Sequence, residues 1–557
     1  MAEVVDAVVI GAGPNGLVAS AALADAGWDV LVLEAQPEMG GAVRSAELFP
    51  GAVSDLFSAF YPLAAASPVI RGLRLDEHGL EWSQAPAVIA HLAHPDSEAA
   101  VLYRDAEHTA AGLDAAAPGD GDAWLTLVEQ WQRLRDPLLA ALFTPFPPIR
   151  LGAHLARRAG VRELAGLARM AAMPVTRMTR ELFKGEGARL LVAGNAMHAD
   201  VPMDAPGSAI FGWLLVMLAQ DVGFPVPKGG AGMLAQSMAS RARSAGASIE
   251  THQPVTGVIV KGRRAVGVRT AGGREIHCRR GVLADVDAPR LFTDLVGHQH
   301  LPKRMRDELG RFEWDLPTVK VNWLVDGGIP WRAREAASAG TVHIGTDLAG
   351  LARWSSDLAF GRQPDEVFAL LGQMTTADPS RSAAGSESAW AYTHLPRDRY
   401  GKDDADHVVG QLENALELFA PGLTDRVTGR SVQYPSDLED ADANLHHGAI
   451  NGGTAQLHQQ LIFRPATGLG RADTVIESLY LAGASAHPGG GVHGACGWIA
   501  AQLALRDHGR WAPVRRRTRR AVMSRLYGSL TPPGDSAEIT AAVTHPTVPM
   551  DGTRSLH

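Results

Sequence analysis

His487 and His493 stand on either side of three consecutive glycines, Gly489 to Gly491. An imidazole titrates near neutral pH, so either ring could pass a proton or hold a small molecule by one nitrogen. In so crowded a turn the same rings could instead bond backbone. His446 and His447 form a second pair and a weaker candidate for the same work. No Ser-His-Asp arrangement and no metal-ligand spacing stands out, so neither an acyl-transfer triad nor a metal is expected. A turn stripped of side chains lets a flat ligand approach the backbone.

A second glycine set lies near the start. Gly11, Gly13 and Gly16 fit G-x-G-x-x-G, and Glu34 follows Gly11 by 23 residues. Val8 to Ile10 form a short apolar strand. Leu17 to Ala26 are small and apolar, a helix able to pack closely on a sheet. "WDVLVLE" is a second strand that ends in Glu34. Inside a complete strand–helix–strand unit, these glycines and this acid are the fingerprint of a dinucleotide site. Gly11 permits the turn, and Gly13 lets the backbone approach a pyrophosphate seated on the helix N-terminus. Glu34 can accept hydrogen bonds from an adenosine ribose.

The fingerprint alone does not separate FAD from NAD. The residues after Glu34 do. Gly40 and Gly41 follow it, with Arg44 close behind, which resembles the arrangement in many two-dinucleotide-binding-domain flavoproteins. The glycines let the chain pass close to a flavin diphosphate, and the arginine supplies positive charge there. An NAD domain needs neither, so FAD is the expected cofactor. The far end of the chain then has a task. "SLYLAG", residues 478–483, reads as a strand returning to the first sheet. The turn beyond it brings Gly483, Gly491 and Val492 against the flavin ring. Val492 to Leu505 follow as a buried helix, whose positive end favours the charge of a reduced flavin.

Together "VVIGAGPNGLVASAALADAG", the glycine pair, "PKGGAGML" and "LAGASAHPGGGVHGACGWIAA" resemble the phytoene desaturase family of FAD-dependent oxidoreductases. The resemblance covers both ends of the chain and patches of the middle. "MHADVPMDAPGSA" and "LHHGAINGGTAQLHQQLIFRP" resemble most the subgroup of pyridine nucleotide-disulphide oxidoreductase domain-containing protein 2, a neighbour of carotenoid ketolases. The resemblance implies an α/β fold of the two-dinucleotide-binding-domain, Rossmann-like type, with an interleaved α+β substrate domain. It places Val255 at the adenine end. It implies hydride transfer to flavin from an apolar, polyene- or isoprenoid-like substrate, with oxygen or a quinone as final acceptor. A ketolase, an isomerase, or a flavin-binding regulatory protein with a protein partner and little turnover would carry the same motifs. The last would have its flavin face sealed by side chains. The subgroup's disulphide has no counterpart here, since Cys278 and Cys496 are far apart and form no paired-thiol motif.

The expected division is 1–70 for the first part of the FAD domain, 71–220 for a helical substrate region, and 221–300 for the second part of the FAD domain. Residues 301–440 return to the substrate domain, and 441–510 close the FAD domain. A basic tail, 511–557, contains "RRRTRR" and reads as disordered, its charges solvated or touching lipid headgroups. "FPGAVSDLFSAFYPL" is expected to line the route from flavin to substrate. From Arg150 to Lys184 there are eight basic residues and two acids, with Val161, Leu164, Leu167 and Met170 three apart. That pattern suits a helix with a solvated basic face, or one that lies on a membrane surface.

The net charge of −8 gives no reason to expect nucleic acid. The chain is 46% hydrophobic and 20% charged, enough to bury a sizeable core. Its start has no basic segment before the apolar run, and no apolar run is long enough to span a bilayer. A cytoplasmic protein is expected, soluble or peripheral on a membrane. Aromatic content is 6%, which does not favour an amine site framed by aromatic rings.

Overall fold

A computed structural model describes residues 3–528, the side chains at 151, 154, 155, 158 and 159 excepted. β1 (Glu3–Ile10) is rich in valine, and its second half is buried on both faces. β-Branched side chains fit a pleated surface, and a strand covered on both faces reads as one apolar run. β1 pairs in parallel with the strand Glu275–Ala284, Val8 opposite Val282. On its other side it pairs in parallel with β2 (Val30–Leu33), Val8 opposite Leu31. The crossover between β1 and β2 is α1 (Pro14–Asp25), whose alanines pack closely on the sheet.

The strand Glu275–Ala284 serves two partners. Its first half runs antiparallel to Arg264–Thr270, which pairs in turn with Val255–Lys261. Its last residues take up Leu479–Leu481 in parallel, Val282 opposite Leu479. The chain thus returns to its first sheet just before the C-terminal glycine turn, as the sequence led us to expect. The helix Ala495–Asp507 follows and crosses α1 at contact distance. A Cβ on Gly497 would lie 1.9 Å from the Asn15 carbonyl oxygen, so only glycine fits that crossing. Likewise a Cβ on Gly16 would lie 2.2 Å from the Gly11 carbonyl oxygen.

A second sheet has the order Val427–Gln433, Thr318–Asp326, Ser386–His394, Ala369–Gln373, Ala339–Ile344, Ala87–Leu92, Ala100–Leu102. All its pairings are antiparallel except that of Ala339–Ile344 with Ala87–Leu92. Helices between residues 106 and 222 pack against this sheet. Ser208–Val222 is the apolar one at their centre, with Trp213, Val216 and Met217 fully buried.

Three expectations need correction. The region 71–220 is not only helical, because Ala87–Leu92 and Ala100–Leu102 complete the second sheet. The basic segment is a helix over Ile149–Ala172 broken at Gly160, where φ is 75°. Leu167 and Met170 pack into the core, while Val161 is 87% exposed, so these residues do not share one buried face. The tail is not wholly disordered: Ala512–Tyr527 is a helix containing "RRRTRR". Arg519 is nearly buried, 2.8 Å from Asp507 and 3.7 Å from Asp473, and Arg520 pairs with Glu477. Met523 and Tyr527 join the core. Packing on one face and ion pairs on another outweigh the repulsion within the basic run. The rest of the expected disordered tail, 529–557, lies outside the described residues.

Candidate functional site

One cavity of about 530 Å³ runs from the ends of β1 and β2, at Ile10 and Leu33, to the space between the helix Ser208–Val222 and the second sheet. Ligands of open parallel sheets sit at this carboxyl edge of the strands. Of the residues marked in the sequence, Gly11, Gly13, Glu34, Gly41, Val255, Gly483, Gly491, Val492 and His493 line it. Gly16, Gly40, Arg44 and His487 do not.

The sheet end fits a dinucleotide. Gly13 precedes α1 and has no side chain to cap it; Pro14 carries no N–H and Asp285 takes the Gly16 amide, which leaves the Asn15 amide of the first turn for an anion. A Cβ on Gly13 would meet Asp285 Oδ2 at 2.7 Å, and one on Gly41 would meet Gly13 Cα at 3.2 Å. The glycine pair therefore passes directly over the fingerprint turn. Glu34 is 7% exposed and accepts from the amides of Ala12, at 2.7 Å, and Gln36, at 2.9 Å. Burial raises its carboxyl despite those two amides. Asp285 accepts from the Gly16 amide at 2.8 Å, yet burial pushes it up to about 7. Burial likewise lifts Asp287 to about 6 and raises Asp442. These carboxyls hold protons more readily than ordinary ones, which eases the approach of a diphosphate, and Arg290 adds positive charge on the same wall.

Arg44 lies behind the cavity wall, where its charge acts on Glu34 and Asp442. Its guanidinium donates to the Gly41 carbonyl at 2.9 Å and to the Ala441 carbonyl at 2.8 Å. It ties the glycine pair to a distant segment and leaves the cavity wall to backbone. Of the two readings of the histidines, His493 follows the one in which the ring bonds backbone. His493 Nδ1 accepts from the Ala495 amide at 3.0 Å, and its Nε2 donates to the Gly489 carbonyl at 3.2 Å. Both nitrogens are spent on the turn and on the start of the following helix. Burial pushes both imidazoles down to about 4, and His487 packs edge-on against Phe146. This geometry gives His493 a part in shaping the turn and leaves it no free nitrogen at the cavity, whereas neither ring nitrogen of the buried His487 has a hydrogen-bond partner among the described residues.

The far end of the cavity is lined by Phe60, Leu63, Leu142, Phe211, Leu214 and Leu215, among others. The segment "FPGAVSDLFSAFYPL" contributes Phe57 to Leu63 to this wall, as the sequence suggested. The wall is continuous with the dinucleotide end. Two titratable groups here were missed. Lys320 lies on the strand Thr318–Asp326 with its Nζ donating to the Asp55 carbonyl and set 5.3 Å over the Trp390 ring. Burial pushes its amine down to about 7, against the opposing charge of Asp55. His198 lines the cavity with its Nε2 3.0 Å from that of His343. Burial lowers both rings, His198 to about 3, so the pair is neutral and one nitrogen donates while the other accepts. A lone lysine in the apolar strand "TVKVNW" was the available signal for Lys320.

A fingerprint turn over a carboxylate, closed from the C-terminal side and opening into a second chamber, defines an FAD-dependent oxidoreductase of the two-dinucleotide-binding-domain type. The chain belongs to the flavin containing amine oxidoreductase family, whose pattern matches residues 15–505. It is similar to pyridine nucleotide-disulfide oxidoreductase domain-containing protein 2 of Rattus norvegicus, 26% identical over 90% of this chain and 93% of that one. It is also similar to a lycopene-forming phytoene desaturase of a Paracoccus species, 26% identical over 57% of this chain and 60% of that one. Among solved structures, an oxidoreductase from Methanosarcina mazei has the same fold, with a TM-score of 0.59 at 14% identity over 90% of this chain and all of that one. Among the described residues, no helix is long and apolar enough to cross a membrane.

Proposed function

We propose that this oxidoreductase introduces a double bond into an apolar, polyene- or isoprenoid-like substrate held against FAD. One observation carries the reading. The carboxylates lining the cavity, Glu34, Asp285, Asp287 and Asp442, all stand at the dinucleotide end, and the chamber beyond them is walled mainly by Phe, Leu, Tyr and Trp side chains, with Lys320 and His198 among them and no carboxylate. A protonated amine would find no counter-charge there, whereas a hydrocarbon would displace water from an apolar surface at a gain of roughly 25 cal/mol per Å². The name of the Paracoccus relative, a phytoene desaturase, points the same way.

Gly11, Gly13, Glu34, Gly41, Val255, Gly483, Gly491 and Val492 would hold FAD, with Gly16, Gly40 and Arg44 shaping the backbone behind them. Bound there, FAD supplies the acceptor for a hydride, which is the difficult part of desaturation. The chain supplies dryness, orientation and an outlet for the proton. The Lys320 amine, neutral above about 7, is the acceptor on the chamber wall. The exposed Ile149 and Val161, in a basic helix close after the cavity residue Leu142, would let the protein draw such a substrate from a lipid surface.

The test is anaerobic. Phytoene-like polyenes in liposomes, a diamine, and NADPH are each added to the purified flavoprotein while its visible absorbance is followed. Bleaching by the polyene alone is expected. Bleaching by the diamine would overturn the apolar reading, and bleaching only by NADPH would favour a reductase, ketolase or isomerase of the same fold.

A further inference from the structure

Glu439, His446 and His447 meet at the surface, on the far side of the segment that lines the cavity. Glu439 belongs to the helix Pro435–Ala441, and the histidines open the short turn His446–Gly448. His446 Nδ1 is 3.1 Å from Glu439 Oε1, and His447 Nδ1 is 3.2 Å from Glu439 Oε2. One ligand atom from each residue lies within 4.8 Å of the others. A tetrahedron with corners at the usual zinc–nitrogen and zinc–oxygen distances has edges of about 3.3 Å. Each ring nitrogen is about one such edge from a carboxylate oxygen, His446 from Oε1 and His447 from Oε2.

The rings are already oriented. His446 packs on Trp314 with centroids 4.8 Å apart, His447 lies flat on Tyr400 at 4.0 Å, and the two imidazoles are 3.9 Å from each other. His447 has φ of 50°, a left-handed backbone that turns its ring towards the same carboxylate as its neighbour's. Its amide donates to Glu439 Oε2 at 3.0 Å, which fixes the carboxylate. Burial works to raise that carboxyl, but the His447 amide and the His446 ring outweigh it and hold Glu439 below the usual range. The three side chains are 32–41% exposed, and a surface pocket beside the two rings leaves room for water.

We propose that Glu439, His446 and His447 bind a divalent transition-metal ion of the zinc type, with water completing the shell. This departs from the expectation of no metal. Two imidazoles and a carboxylate select such an ion over magnesium or calcium, which take oxygen ligands. Ala441 to Leu445, between the ligands, line the cofactor cavity, and Arg44 grips the Ala441 carbonyl. An ion here would fasten both ends of that segment.

The experiment uses the full-length flavoprotein, stripped with a chelator and titrated with Zn²⁺ by calorimetry, with Mg²⁺ as the comparison. The expected result is one equivalent of Zn²⁺ that His446→Ala and Glu439→Gln each weaken by at least about tenfold, and no heat from Mg²⁺. Glu439→Gln keeps an acceptor for the His447 amide, so it separates loss of the ion from loss of the turn. A second readout needs no variant: Zn²⁺ should shield His446 and His447 of the unaltered chain from acylation by diethylpyrocarbonate, read by peptide mass. Equal zinc binding in all three proteins, or acylation of both rings regardless of zinc, would show that the histidines only hydrogen-bond the carboxylate.

Discussion

Asp315 and Arg464 grip one backbone segment by its two polarities. The Asp315 carboxylate accepts from the amides of Ile450, Asn451 and Gly453 at 2.6, 2.7 and 3.1 Å. The Arg464 guanidinium donates to the carbonyls of Asn451, Gly452, Thr454 and Ala484 at 2.8–3.2 Å. Both side chains are buried, and the segment they hold is part of the cavity wall. Arg464→Met should therefore leave several buried acceptors without donors. Leaving even one such buried acceptor unpaired typically costs about 1–3 kcal/mol. The flavoprotein should lose at least that much in denaturant unfolding and purify with less FAD per chain. Arg464→Lys should recover only part of both, because an ammonium has three donors to share. Full FAD occupancy and unchanged stability in Arg464→Met would refute a role for this clamp.

Asp285 should make cofactor affinity depend on pH. Its carboxyl sits beneath Gly13 and Gly16, where burial raises it from 3.8 to about 7. A raised acid stabilises the fold below its unfolded value, and that contribution is lost as pH rises towards about 7. Above that point its negative charge would oppose a diphosphate bound at Gly13. The dissociation constant for FAD should rise as pH climbs through about 7, and Asp285→Asn should flatten the rise. Fluorescence of released FAD across pH measures both. A parallel rise in the variant would assign the effect to other groups.

Leu214 faces the apolar chamber, well away from the dinucleotide end. Leu214→Asp should cut polyene-dependent flavin reduction by roughly tenfold or more, because an unpaired carboxylate in an apolar wall is poorly solvated. FAD content should not change. Reduction by a diamine that appears only in this variant would show that the missing counter-charge sets substrate class. Unchanged polyene turnover would remove Leu214 from the substrate path.

The dinucleotide half was legible because its constraints are local. G-x-G-x-x-G, Glu34 and the glycine pair are short-range requirements of backbone approach, and their spacing carries the meaning. The return of Leu479–Leu481 to the first sheet followed from an apolar strand directly before a glycine turn. The chamber was hardly legible, because its walls come from residues as far apart as Phe57, Phe211 and Lys320. The anchoring of Arg44 was hidden for the same reason: its partner, the Ala441 carbonyl, is nearly four hundred residues away. His493 looked reactive in one dimension, and only the fold shows both its nitrogens occupied.

Lys320 provides the strongest test of the chamber. Its folded value of about 7 lies below the ordinary 10.5, so between the two the unfolded chain holds a proton that the native chain has released. The stability it contributes is complete above 10.5 and is lost as pH falls to about 7. Lys320→Met should remove that rise with pH and should be more stable than the parent at neutral pH, provided the Asp55 carbonyl finds water. Activity should respond in the opposite sense. If the neutral amine accepts the substrate proton, kcat/KM should fall as pH drops through about 7, and Lys320→Met should lose this limb along with most of its rate. Lys320→Arg, charged at every accessible pH, should be as slow as Lys320→Met while retaining FAD. An arginine variant with near-parental rates would mean that Lys320 holds the Asp55 loop in place and takes no proton.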